Sequence, residues 1–216
     1  RALLAGPQIL LMDEPLSSLD RERRAEILPY LEAVANETHI PVLYVSHDTD
    51  EVARLADRVV AIEEGRVRAI GTAAEILGHS SEAGQEVVSI LEGKVIDVDA
   101  DYGTATVRVG DEKIELSAGN LMQGSKVRLR VRAADIAIAT VQHEGLSIRN
   151  QLWCEVKSVE RRGNSADVML AFGSENLFAR ITAKSADLLR LRAGMQVVAL
   201  IKAVSVERAR ILPVIA

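Results

Sequence analysis

Continuous apolar runs separated by helical spacing occupy the first third of the chain, and short period-two runs occupy the rest. Gln8 to Asp13 (Q-I-L-L-M-D) is an apolar run ending in acid, the pattern of a strand buried on both faces, and Pro41 to Ser46 repeats it. Between them Asp20 can cap a helix over Arg21 to Asn36, with Ile27, Leu28, Leu31 and Val34 at helical spacing. Pro29 is predicted to kink or restart that helix. A short helix is expected over Asp48 to Ala56, with acids in its first turn. A hairpin follows, Val59 to Ile62 and Arg66 to Ile70 flanking Glu63-Glu64-Gly65, and Thr72 can cap a helix over Ala73 to Leu77. Strand–helix–strand–helix alternation predicts an α/β layer with a parallel sheet.

After about residue 85 the runs shorten and become rich in Val and Ile. Val95–Val98, Thr104–Val109, Lys113–Leu116, Val127–Val131, Val156–Glu160, Ala166–Ala171, Leu177–Thr182 and Val197–Ala203 read as strands of a small, OB-like barrel type. There is an internal echo. Gly124 to Ala133 can be laid on Gly194 to Ala203, and Val95 to Val109 on Val156 to Leu170. The expected organisation is an α/β unit over 1–87, a first β repeat over 88–146 and a second over 147–216.

Charge supports that division. The net charge is −5, yet residues 1–87 hold 8 basic against 16 acidic side chains and residues 88–216 hold 18 against 15. An acidic first part argues against a polyanion partner, and six aromatics in 216 residues argue against a base-stacking platform, so no nucleic acid is expected. Cys154 is the only cysteine, which excludes an intrachain disulfide and a thiolate zinc cluster. Arg1 to Pro7 lacks the features of a signal peptide and reads as the last turn of a helix, so the sequence is expected to open within a domain.

Two groups of residues carry chemistry. Asp13 and Glu14 stand at the C-terminal tip of the first strand, the edge where open α/β sheets bind ligands. Phosphoryl transfer needs a carboxylate for Mg²⁺ and a group to orient the attacking water, and two adjacent acids can supply both. Ser17-Ser18-Leu19-Asp20 follows. His47 ends the next strand, so a parallel pairing would bring it beside Glu14. In the β region, Ser147-Ile148-Arg149-Asn150, the turn Arg162 to Ala166, and Lys202-Ala203 with Ser205 gather hydroxyls, cations and turn amides. A small tetrahedral dianion calls for that set.

Leu10-Leu11-Met12-Asp13-Glu14-Pro15, Ser17-Ser18-Leu19-Asp20, His47 and the exit hairpin resemble the Walker B motif, D-loop, switch histidine and domain exit of ABC-transporter ATPases. The resemblance implies a P-loop NTPase fold, of which residues 1–87 would be the C-terminal portion. It implies ATP and Mg²⁺ as cofactors, with Asp13 on Mg²⁺, Glu14 polarising water, His47 on the γ-phosphate and Asp20 joining two subunits. No G-x-x-x-x-G-K-[ST] and no Leu-Ser-Gly-Gly-Gln occurs in these residues, so the chain alone is expected to be inactive.

The segments around Ser147, Ala166 and Lys202 resemble the molbindin (Mop) oxyanion-binding domain. That resemblance implies Ser147, Arg149, Lys202, Ala203 and Ser205 as ligands, with amides near Ser165 and Ala166, and pockets that can form between subunits or repeats. The first repeat departs from the pattern, with Arg132 and Asp135 in place of Lys202 and Ser205. Together the resemblances imply the ATP-binding subunit of a molybdate (or tungstate) ABC importer. It would be a homodimer on the cytoplasmic face of a bacterial inner membrane, working with permease subunits and, indirectly, a periplasmic solute-binding protein, and molybdate would be its regulatory ligand. An importer ATPase for sulfate, a sugar or a polyamine stays open, as does an oxyanion sensor or storage protein with an inert ATPase remnant.

Overall fold

A computed structural model describes residues 6–38, 40–78 and 87–212. The helical turn expected before Gly6 lies outside them. The chain divides between Ile76 and Leu77 into two units.

In the first unit β1 (Leu10–Asp13) and β2 (Val42–Val45) pair in parallel, Leu10 opposite Val42 and Asp13 opposite Val45. They are joined by α1 (Arg21–Glu37), whose N-terminus is capped where the Asp20 side chain accepts a hydrogen bond from the Arg23 N–H at 2.9 Å. Contrary to the expected restart, α1 is assigned as one helix through Pro29. A proline removes one i→i−4 bond, and the bonds of the turns on either side suffice to continue the helix. α2 (Thr49–Leu55) is capped by Asp48, which accepts from the Asp50 N–H at 2.8 Å. β3 (Arg58–Glu63) and β4 (Arg66–Thr72) form the hairpin. Glu64 (φ 49°) and Gly65 (φ 74°) are both left-handed, as a two-residue type I′ turn requires. α3 (Ala73–Gly78) opens on a capping box: Thr72 Oγ1 accepts from the Glu75 N–H, and Glu75 accepts from the Thr72 N–H.

Two expectations for this unit need correction. Among the described residues the parallel sheet has two strands, and β3 and β4 form a separate antiparallel sheet. Nor is the pair buried on both faces. Leu10 is buried, but Leu11, Leu43 and Val45 are 67%, 58% and 49% exposed. Side chains alternate across a strand, so one face of the pair is covered and its apolar opposite is open.

Among its described residues from Val87 onward, the second unit is all-β apart from the six-residue helix α4 (Ala183–Leu188) and two 3-10 turns. Its strands are β5 (Val88–Asp99), β6 (Thr104–Val109), β7 (Glu112–Ser117), β8 (Lys126–Arg132), β9 (Ile136–Ala139), β10 (Asn150–Arg162), β11 (Ser165–Phe172), β12 (Glu175–Thr182), β13 (Gln196–Ile201) and β14 (Val206–Leu212). They form two five-stranded antiparallel sheets, ordered β14-β8-β5-β6-β7 and β12-β11-β10-β13-β9. The two sequence repeats therefore exchange their last strands: β9 pairs with β13, and β14 pairs with β8. One apolar cluster joins the sheets, taking Leu91, Val107 and Leu129 from the first and Val168, Phe172 and Ile201 from the second. The strand expected over Val197 to Ala203 ends at Ile201, and Ala203–Ser205 forms a 3-10 turn.

Candidate functional site

The first site is built on the tips of β1 and β2. Parallel strands end at one edge, so Glu14 and His47 meet there. His47 Nδ1 lies 2.7 Å from Glu14 Oε1, and the His47 backbone N–H donates to the same oxygen at 3.1 Å. Glu14 sits in the left-handed region (φ 45°), a backbone state that a non-glycine residue holds only when its surroundings enforce it. Here its N–H is bonded to the Val45 carbonyl, and its own carbonyl accepts from the Ser17 N–H and hydroxyl. The hydrogen bond to Glu14, reinforced by its charge, raises the His47 pKa above the ordinary imidazole value. Asp13 is exposed beside this pair, and the Asp20 carboxylate is engaged as the cap of α1.

Residues that the sequence pattern did not single out hold the site together. Arg24 pairs with Asp48 through Nη1 and donates to the Leu19 carbonyl at 3.3 Å. It thereby ties the loop before α1 to the residue after His47. Its Nε lies 3.5 Å from Glu51, which is buried and also accepts from the Tyr44 and Ser46 hydroxyls at 2.8 and 2.7 Å. Burial, then the bond to Glu51, raises the Tyr44 pKa, so the phenol stays a donor. The one local signal for this network was Arg24 standing four residues after Asp20, one turn along the helix.

The second candidate site lies where β10 and β13 begin and end. Asn150 opposite Ile201 is the last ladder pair, so Arg149 and Lys202 stand side by side just beyond it. Lys202 is exposed and opens the Ala203–Ser205 turn, where the Ser205 N–H donates to the Lys202 carbonyl at 2.9 Å. That turn packs against β7. Ser147 is exposed in the segment leading to β10. Asn150 is buried, and its carboxamide clasps the backbone of Glu115 in β7, accepting from the N–H at 2.7 Å and donating to the carbonyl at 2.9 Å. The structure thus brings Arg149, Lys202, Ala203 and Ser205 to one end of β10. It places Ser165 and Ala166 at the other end, beside Arg162: Ser165 Oγ donates to the Arg162 carbonyl, and Ala166 is fully buried. Within one chain those two do not adjoin the cations.

The corresponding turn of the first repeat, Ala133–Asp135, packs against β12. Its Arg132 Nε donates to Asp135 at 2.7 Å, so cation and acid satisfy each other. Among the described residues no group of three or more His, Cys, Asp or Glu side chains could enclose a metal ion. No described helix is long and apolar enough to cross a membrane.

Comparisons with known proteins find relatives along nearly the whole chain. Residues 146–207 match the TOBE domain family. The chain is 49% identical over 212 residues to a protein of Brucella abortus described as molybdenum import ATP-binding protein ModC, and 42% identical over 212 residues to its namesake in Yersinia pseudotuberculosis. These alignments take in 98% and 96% of this chain but 59% of each relative. A crystal structure of the cytoplasmic molybdate-binding protein ModG, with molybdate bound, superposes with a TM-score of 0.51 at 26% identity, over 58% of this chain and 96% of that one. Over nearly its whole length the chain is thus similar to the C-terminal part of those ModC proteins, of which it spans 59%, and its residues 146–207 match the TOBE domain.

Proposed function

We propose that this chain is the C-terminal part of the ATP-hydrolysing subunit of a molybdate importer of the ABC type. The observation that carries the proposal is the 2.7 Å contact between His47 and Glu14 at the tips of a parallel strand pair, upstream of a ModG-like β unit. In this reading Glu14 polarises the attacking water and His47 positions the γ-phosphate. Asp20 lies at the junction of two subunits. Asp13 would hold Mg²⁺, which takes one or two carboxylates besides phosphate oxygens and water, so a single exposed acid fits it. When bound, the ion would neutralise charge on the transferred phosphoryl group. The phosphate cradle is not among these 216 residues, and the set present fits only part of an ATP site. The open apolar face of β1 and β2 suits a sheet that continues in the whole protein. A homodimer at the cytoplasmic membrane face, coupled to permease subunits, completes the reading. The second unit would bind molybdate as a regulatory ligand through Ser147, Arg149, Lys202, Ala203 and Ser205. Ser165 and Ala166 would contribute to a pocket only from a partner chain.

The test is Glu14→Gln in the assembled transporter. ATP binding should persist while hydrolysis falls by about 100-fold or more, the range for a lost general base. Hydrolysis at the wild-type rate would end this account. The same substitution should return the His47 pKa toward its ordinary value, as read by imidazole NMR shifts. Because Glu14 raises that pKa in the folded state, the stabilisation from the pair is full below the unfolded histidine pKa. It is lost as pH rises through the raised value.

A further inference from the structure

Glu115 belongs to the first repeat, yet its carboxylate lies beside Arg149 of the second. Arg149 Nε lies 3.4 Å from both of its carboxylate oxygens. This is a long, loose contact, and the Arg149 side chain is 66% exposed. The backbone that carries the carboxylate is anchored. Asn150 holds the Glu115 backbone by both its N–H and its carbonyl, and the Ala203–Ser205 turn packs on the same strand. Lys202, next to Arg149 across the end of the ladder, has no acidic partner among the described residues. Arg149 is therefore shared loosely with an acid whose backbone is anchored, while Lys202 beside it has no such partner among the described residues.

A carboxylate and a tetrahedral oxyanion ask for the same donors, since each offers oxygens to the guanidinium N–H groups. We propose that Glu115 sets the affinity of this site by occupying the Arg149 guanidinium until an incoming oxyanion displaces it. The inference rests on the oxyanion-binding reading above and adds to it a residue that opposes binding. Its consequence follows from population arithmetic: any fraction of molecules in which Arg149 is engaged by Glu115 lowers the apparent affinity in proportion. Exposed ion pairs of this kind are weak, so the effect is a modest factor and not an on–off switch.

The experiment is titration of the purified full chain with molybdate, followed calorimetrically and by the fluorescence of its single tryptophan, Trp153. Glu115→Gln, which keeps side-chain shape and removes charge, should tighten binding by about twofold to fivefold, the equilibrium factor for a weak surface pair. Glu115→Ala should shift it in the same direction, so a folding defect in either variant leaves the other to report. In an Arg149→Ala background the same change should have under about a twofold effect, because the residue acts through Arg149. Unchanged or weaker binding in both Glu115 variants would overturn the proposal. So would an equal gain with and without Arg149, which would mean that the acid repels the anion directly. If Arg149→Ala and Lys202→Ala both leave wild-type binding intact, the oxyanion site itself lies elsewhere, and the underlying reading fails with the inference.

Discussion

The two repeats of the β unit share a hydrogen-bond skeleton and differ in the side chains mounted on it. Val95 in β5 bonds through its N–H to the Ser125 carbonyl and through its carbonyl to the Gly124 N–H; Val156 in β10 does the same with Met195 and Gly194. Each strand has an irregularity just after that valine. Gly124 and Gly194 are both left-handed, and in both copies the fourth strand leads into a 3-10 turn that packs on the third strand of the other copy. Against this constancy, Val88 stands where the second repeat has Arg149, Ser89 where it has Asn150, and Arg132 and Asp135 where it has Lys202 and Ser205. Ser89 keeps one cross-repeat bond, from the Phe178 N–H at 2.8 Å, where Asn150 makes two to Glu115. Backbone geometry is set by strand register and turn conformation, which tolerate many side chains. In the reading proposed above, anion chemistry is set by a few side chains, and the second copy alone carries the full set.

The largest expected contrast is at Gly93 and its counterpart Cys154. A methyl group on Gly93 would sit 2.5 Å from the Arg108 carbonyl oxygen and 2.5 Å from Val107 Cγ1, both on the paired strand. Gly93→Ala should cost about 3 kcal/mol in a denaturant titration, as overpacking against backbone does. Cys154 is buried and has room for its side chain, so Cys154→Ala should cost only about 1 kcal/mol. Burial pushes the Cys154 thiol up to about 11, and it should resist thiol reagents until the protein unfolds. Equal costs at the two positions would mean that the repeats pack more alike than their atoms indicate.

Much of this architecture was legible locally. Asp20 and Thr72 announced their caps, Glu64-Gly65 its turn, and the echo of Gly124 in Gly194 the duplication, whereas Asp48, read as the first residue of its helix, is the cap before it. β9 was not, because Ile136–Ala139 is four residues with two alanines and no turn signal of its own. β14 and the strand exchange were missed for another reason. Which sheet a strand joins depends on partners some 70 residues away, and local alternation is silent on that. The same limit explains the sites. His47 could be placed beside Glu14 because adjacent parallel strands share an edge. Glu115 could not be placed beside Arg149, since their meeting depends on the packing of one repeat against the other. Ser165 and Ala166 were grouped with Lys202 by resemblance, and β10 holds them at its far end.

Paired cation deletions sharpen the contrast in chemistry. Lys202→Ala should weaken molybdate binding by about tenfold or more, the loss of one charge-assisted contact. Arg132→Ala, at the matched position, should change it by less than about twofold, because Arg132 already spends its donors on Asp135. Filter binding with labelled molybdate, with sulfate as competitor, would measure both. Equal losses would assign both turns to binding and remove the functional asymmetry.

The smallest effect tests the shared skeleton instead of the difference. Gly124 has φ 91° and Gly194 has φ 82°, and neither has any atom within 4 Å of where a Cβ would stand. Space is therefore not the constraint at either turn; backbone conformation is. An L-residue forced into the left-handed region pays about 1 kcal/mol, so Gly124→Ala and Gly194→Ala should each lower stability by about that much. Because the bonds made by the two glycines are alike, down to 2.8 Å from each N–H to the matched valine carbonyl, the two costs should agree within about 0.5 kcal/mol. Chemical denaturation of both variants would show it. A clear inequality would locate strain in one turn that the hydrogen bonds do not reveal, and the repeats would then differ in their frame as well as in their chemistry.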